Sequence, residues 1–401
     1  MSRSIIFQGV MLAVFTTLLH GQSKTTAEDS LTANYSQEGS TTIGGYGNAV
    51  YSHDFHNNVS VADLERVVLF VGHRFTTDIT FFSELEMEDA KVSGGEDGGE
   101  IAFEQAYLKF AVDQSCYVNA GLFLPRIGIL NENHLPTTFN GNERPQVETY
   151  ILPSTWRELG VGLYGSLNSF PLNFSAALVN GLNAAGFEHG SGIREGRFEG
   201  KNAFANNLAI TGALQVNRDN LSVQVSAYYG GTIAMAPDQA DSLHLSAGMF
   251  GTPVLVGEGD VQYAEGGLSA KILGTIVSIP KAYDINRVFT NNTPQTEYGA
   301  YVEIAYNLFH HLAPLISKQL NVFVRYERLD MNAEIPSNGI ADGTLDQHHL
   351  VAGICYLPNT NVVIKTDIRF EHTGEPNSLL GIVPGYDTNT TFFSLGVGYS
   401  F

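Results

Sequence analysis

The chain has 401 residues, of which 43% are hydrophobic and only 15% charged, and a formal net charge of -20. That is too little charge for an ordinary acidic soluble protein, where about a quarter of residues are charged. The 41 acids against 21 basic residues also argue against a nucleic-acid binder, because phosphate binding needs clustered Lys and Arg. The length would allow two or three soluble domains, but membrane barrels use such lengths as one.

The first element is expected to be an export signal over residues 1–22. Arg3 supplies the positive end, and an apolar stretch follows from Ile5 to Leu19, broken by Gln8, Gly9, Thr16 and Thr17. No cysteine lies near the expected cleavage point, so no lipid anchor is expected. Residues 23–38 read as a short periplasmic N-terminal segment, too short for a folded plug. No other run reaches the ~18 apolar residues of a membrane-crossing helix. Residues 39–401 therefore cross a membrane as a β-barrel or not at all.

From there the chain alternates with period two, the signature of β-strands. Sixteen segments qualify: 39–53, 63–75, 78–90, 101–113, 116–128, 157–168, 171–182, 204–217, 220–232, 252–264, 267–278, 296–308, 319–331, 345–357, 361–373 and 389–401. In the third, Ile79, Phe81, Leu85 and Met87 share one face, and Glu84, Glu86 and Glu88 the other. In the fifteenth, Val362, Ile364, Thr366, Ile368 and Phe370 alternate with Val363, Lys365, Asp367, Arg369 and Glu371. In the last, Phe393, Leu395, Val397, Tyr399 and Phe401 alternate with Ser394, Gly396, Gly398 and Ser400. A lipid-facing row needs the bulky set; a lumen face tolerates the small one.

The connections alternate between short turns (Thr76–Thr77, Gln114–Ser115, Ser169–Phe170, Arg218–Asp219, Glu265–Gly266, Asn359–Thr360, and the longer 310–318) and loops of nine to 28 residues. Short turns on one side and long loops on the other mark a bacterial outer-membrane barrel. All fourteen prolines fall outside these strands or within a few residues of an end. The expectation is all-β: a 16-stranded antiparallel transmembrane β-barrel, both chain ends periplasmic, in the outer membrane of a Gram-negative cell.

A barrel of this size encloses a water-filled channel, so function depends on what narrows and charges it. The longest loop, Ile129 to Trp156, reads ILNENHLPTTFNGNERPQVETYILPSTW. It is too rich in Leu, Ile, Phe and Tyr for a free outer loop and is expected to fold into the lumen as a constriction. Its candidate pore-lining residues are Glu132, His134, Arg144 and Glu148; the bland alternative is that each merely staples the loop. On the barrel wall, parity with outward apolar neighbours puts Arg66, Arg74, Glu84, Glu86, Lys109, Arg157, Lys271, Arg325, Glu327, Lys365 and Arg369 on the lumen side. Glu88, Glu303, Asp367 and Glu371 join them. Fixed charges of this kind set a pore's ion preference, unless they pair with one another to stiffen the wall.

The stretch GLFLPRIGILNENHLPTTFNGNERPQVETYILPSTWRELGVGLYG, Gly121–Gly165, resembles the phosphate-selective (O/P-type) porins. NGLNAAG at Asn180–Gly186 and the terminal strand fit the same resemblance, which covers about sixty residues in motif and most of the chain in layout. It implies a homotrimeric porin with an inward fifth-to-sixth-strand loop, passing small polar or ionic solutes passively, phosphate among them. That family's arginine ladder has no residue-by-residue match here.

Membrane lipid and lipopolysaccharide are the expected surroundings. No cofactor, metal site, nucleic-acid partner or enzymatic activity is expected. His348 and His349 are adjacent, so on a strand they face opposite ways, and no zinc spacing, phosphate loop or nucleophile elbow occurs. Cys116 and Cys355 read as two isolated thiols. The acidic, Gly-rich run Ser93–Glu100 reads as a solvated loop. The rival reading is a structural or adhesive barrel displaying its loops.

Overall fold

The computed structural model describes residues 38–88, 100–167, 170–381 and 385–401. The export signal, all but the last residue of the 23–38 segment and nearly all of the acidic run Ser93–Glu100 lie outside the described residues.

The strands are β1 (Thr41–Asp54), β2 (Val59–Arg74), β3 (Ile79–Glu88), β4 (Ile101–Ala111), β5 (Cys116–Phe123), β6 (Glu158–Leu167), β7 (Leu172–Asn180), β8 (Leu208–Arg218), β9 (Leu221–Gly230), β10 (Val254–Glu265), β11 (Leu268–Ser278), β12 (Thr296–Asn307), β13 (Gln319–Glu334), β14 (Asp346–Asn359), β15 (Val362–Thr373) and β16 (Asn389–Ser400). Each pairs with its sequence neighbours, and β1 pairs with β16, so the sheet is a closed barrel. All ladders are antiparallel; the closing seam runs from Tyr46 opposite Ser400 to Asp54 opposite Phe392. Closure leaves no unpaired sheet edge, which is what a strand-built membrane protein requires.

The period-two pattern decides the two faces. Leu69, Phe103, Val161, Ile210, Val225, Ile272, Ile304 and Val397 lie exposed on the outer wall, while Phe70, Glu104, Leu273, Glu303 and Lys365 are buried. Water would not tolerate so continuous an apolar outer band, whereas hydrocarbon does.

Most boundaries differ from the sequence reading by a few residues, and three of the differences bear on the layout. β5 stops at Phe123, not 128, because Pro125 has no N–H for the ladder. β1 and β2 run on until only residues 55–58 connect them, so the first of the long loops is in fact a tight turn. β14 continues past Pro358, with the register shifting between Tyr356 and Asn359 to absorb the missing donor. The remaining long connections, including 124–157 and 181–207, stay on one side. Cys116 and Cys355 are both free thiols.

Candidate functional site

The segment 124–157 between β5 and β6 is tied to the charged faces of strands on the opposite arc of the sheet. Asn140 donates to Glu303 of β12 at 3.0 Å. Asn142 donates its backbone N–H and its side-chain amide to Asp367 of β15 at 2.8 and 2.7 Å. The N–H of Val147 reaches Glu327 of β13 at 3.2 Å, and Gln224 of β9 donates to the carbonyl of Gly128 at 3.1 Å. Two glycines of β16 make room: a Cβ on Gly396 would collide with Asn142 Oδ1, and one on Gly398 would lie 2.6 Å from Pro136.

The four candidates within the segment have different partners. Glu148 is buried and accepts the N–H groups of Ile129 and Leu130 and the hydroxyl of Tyr301, at 2.8, 2.7 and 2.6 Å. Burial pushes its carboxyl above the usual carboxylate range against those donors. It staples a five-residue π-helical turn, Val147–Ile151, to β12. Glu132 pairs with Arg126 at 2.6 Å and raises that guanidinium further above its ordinary value. His134 is buried beside Tyr46 and Glu104, at 2.8 and 3.4 Å. Arg144 is half-buried and makes no hydrogen bond or ion pair with another described residue. Arg66, Glu104 and Glu86 lie within electrostatic reach of it.

On the wall, most cations are paired. Arg325 is buried between Glu303 at 3.3 Å and Glu327 at 2.7 Å, and it donates to the carbonyls of Asn140 and Glu143. Arg369 pairs with Glu371 at 2.9 Å and Glu143 at 3.5 Å. Arg66 lies 3.5 Å from Glu86 and 3.7 Å from Glu65. Lys271 sits 3.9 Å from Glu303, and Lys365 packs 3.7 Å over the Phe139 ring. Lys109 lies 3.9 Å over the Tyr117 ring, and Glu84 accepts from Gln105 at 2.8 Å.

Two wall residues are placed differently from the sequence reading. Arg157 precedes β6 and its guanidinium meets Glu199 of the 181–207 loop at 2.8 Å; the inward residue there is Glu158. Arg74 keeps its parity but lies at the end of β2, donating to the carbonyls of Thr76 and Thr77 in the adjacent turn. One inward acid escapes parity altogether. The register of β3 and β4 shifts between Glu84 and Leu85, and this turns Glu104 inward to full burial, where alternation from Lys109 would point it outward. No local signal marks that bulge.

A relative from Aquifex aeolicus (strain VF5), described as an uncharacterized protein, is 31% identical over 346 residues, covering 83% of this chain and 76% of the relative. The chain belongs to the same family as that protein. No protein-family model matches it. Solved structures share the barrel at low identity. OmpF of Salmonella typhi, in complex with daunomycin, superposes with a TM-score of 0.57 at 12% identity, covering 92% of this chain and 99% of that one. The trimer form of OmpT, an outer membrane protein of Vibrio cholerae, gives 0.53 at 10%, with 91% and 100% covered. The outer membrane channel DcaP of Acinetobacter baumannii gives 0.52 at 11%, with 91% and 98% covered. The family's barrel fold thus matches outer-membrane proteins of Gram-negative bacteria.

Proposed function

We propose that this chain is an outer-membrane porin through which small polar or ionic solutes diffuse passively, narrowed by the 124–157 segment folded inward as a constriction. The carrying observation is the set of bonds from Asn140, Asn142 and Val147 to Glu303, Asp367 and Glu327, which span the barrel's charged side. A segment so anchored narrows the channel, and the charges beside it supply the field that sorts ions. Arg144 is the cation at the narrow point. Because Arg66, Arg325 and Arg369 are each matched by acids, the arrangement supports broad polar passage and does not favour phosphate above other anions. A homotrimer in lipid and lipopolysaccharide belongs to the same proposal, supported by the likeness to a barrel solved as a trimer.

The test is planar-bilayer recording of the purified protein with reversal potential measured across a salt gradient. Stepwise conductance is the expected result, and a silent bilayer refutes the porin reading. A cation-selective reversal potential removes phosphate from the candidate solutes while leaving the channel intact. Crosslinking in detergent checks the trimer, with a persistent monomer as the contrary result.

A further inference from the structure

Three side chains from three separate segments converge on one point of the interior wall. They are Glu84 of β3, Glu104 at the β4 bulge and His134 of the 124–157 segment, all buried, with one potential ligand atom from each lying within 4.8 Å of the others. We propose that they form a binding site for a divalent first-row transition cation of the zinc class.

The donor set is one imidazole and two carboxylates, a combination suited to zinc and its neighbours more than to calcium or magnesium, which prefer oxygen alone. The imidazole is already oriented for it. His134 Nδ1 lies 3.0 Å from the carbonyl oxygen of Asn131. A carbonyl only accepts, so Nδ1 donates to it, and Nε2 is the nitrogen that faces Glu104 Oε2 at 3.4 Å, where a cation would replace its 2.8 Å contact with the Tyr46 hydroxyl. Backbone-held imidazoles of this kind are the usual second support of a metal ligand.

Glu104 provides the independent observation. It is completely buried, and its Oε1 has no hydrogen-bond partner, while Oε2 accepts from Tyr46 at 2.9 Å. A buried carboxylate oxygen left without a partner is costly, and a cation supplies what it lacks. Arg66 is directed to Glu86 and Glu65, and Arg144 lies within electrostatic reach of Glu104 but forms no hydrogen bond or ion pair with it, so Oε1 keeps no direct partner. Beside the triad, Glu84, His134, Glu132, Gln105 and Asn119 line a cavity of about 40 Å³, room for the few waters that would complete the coordination. The spacing of 20 and 30 residues hides this site from any motif search, since no two ligands share a local element.

A bound cation would fasten the 124–157 segment to β3 and β4, across the barrel from its anchors on β12, β13 and β15. The site stands or falls on binding alone, independently of conductance.

The experiment is titration of the chelator-treated, folded full-length protein in detergent with Zn²⁺ by calorimetry and with Co²⁺ by visible absorption. The expected result is one cation per chain, with d–d bands of an N/O site. Glu84→Gln and His134→Gln should each weaken binding by at least about tenfold, while replacing the exposed pair His310 and His311 by Gln leaves it unchanged. Circular dichroism reports whether each variant is folded. If a ligand variant does not fold, hydrogen exchange of wild-type residues 131–135 decides, since Zn²⁺ must slow it. The proposal is overturned if wild type binds no cation, if folded ligand variants keep wild-type affinity, or if only the His310 and His311 variant loses binding.

Discussion

Tyr301 donates its hydroxyl to Glu148 at 2.6 Å, joining β12 to a turn 153 positions earlier in the chain. Glu148 accepts two backbone N–H groups at the same time, so one carboxylate holds both the shape of the segment and its attachment to the wall. Glu148→Leu would leave the buried N–H groups of Ile129 and Leu130 unsatisfied, at a cost of about 1–3 kcal/mol. Tyr301→Phe removes one bond and should cost about 1 kcal/mol. Hydrogen exchange across residues 124–157 should rise most in Glu148→Leu and less in Tyr301→Phe. Equal exchange in both variants and wild type would refute the staple.

Arg325 is the most heavily committed cation of the wall. Arg325→Met strands Glu327 as a buried acid without a counter-charge and leaves Glu303 only Lys271 at 3.9 Å, which should destabilise the barrel by about 3–5 kcal/mol. Adding Glu303→Gln and Glu327→Gln should recover most of that loss, because the penalty lies in the orphaned charge and not in the missing contact. Denaturant unfolding in detergent measures both steps.

Arg144 has the opposite character, with no described partner. Arg144→Gln removes its charge without breaking a hydrogen bond or ion pair and should move the reversal potential toward cations. An unchanged reversal potential would show that the ions do not pass this residue.

Gly396 faces Asn142 so closely that any side chain must push the segment away. Gly396→Val is expected to strain the bond between Asn142 and Asp367 and to change the single-channel conductance. Gly274, with nothing near its ideal Cβ, is the control site at which Ala should have little effect.

Two outer loops are clasped by His189 and Asp342 at 2.8 Å. Burial acts to raise the Asp342 carboxyl, but hydrogen bonds from His189 and Thr344 outweigh it and hold the carboxyl below its ordinary value of 3.8. A depressed folded-state value means the contribution is present above the ordinary value and is lost as pH falls through the folded one. Wild type should exceed Asp342→Asn in thermal stability by a constant margin above about pH 5, and the margin should shrink at lower pH. A margin that grows on acidification would contradict the assignment.

Sequence alone determined the class, number and facing of the strands. Alternation such as Ile364, Ile368 and Phe370 against Lys365, Asp367 and Arg369 depends only on the two-residue repeat of a strand, a local property, so it can be read without partners. The terminal strand was legible in the same way, with small residues on its inward side. Which charge meets which was not legible. Arg369 finds Glu143, Asn142 finds Asp367 and His134 finds Glu104 through a segment, 124–157, that lies far from these strands in sequence, and period two specifies a face but never a partner. Glu104 escapes parity because one bulge between β3 and β4 reverses the alternation, and Arg157, which shares the parity of the exposed Leu159, Val161 and Leu163, precedes β6 and does not face inward from it. Closure of the barrel fixes those registers, and closure is a property of all sixteen strands together.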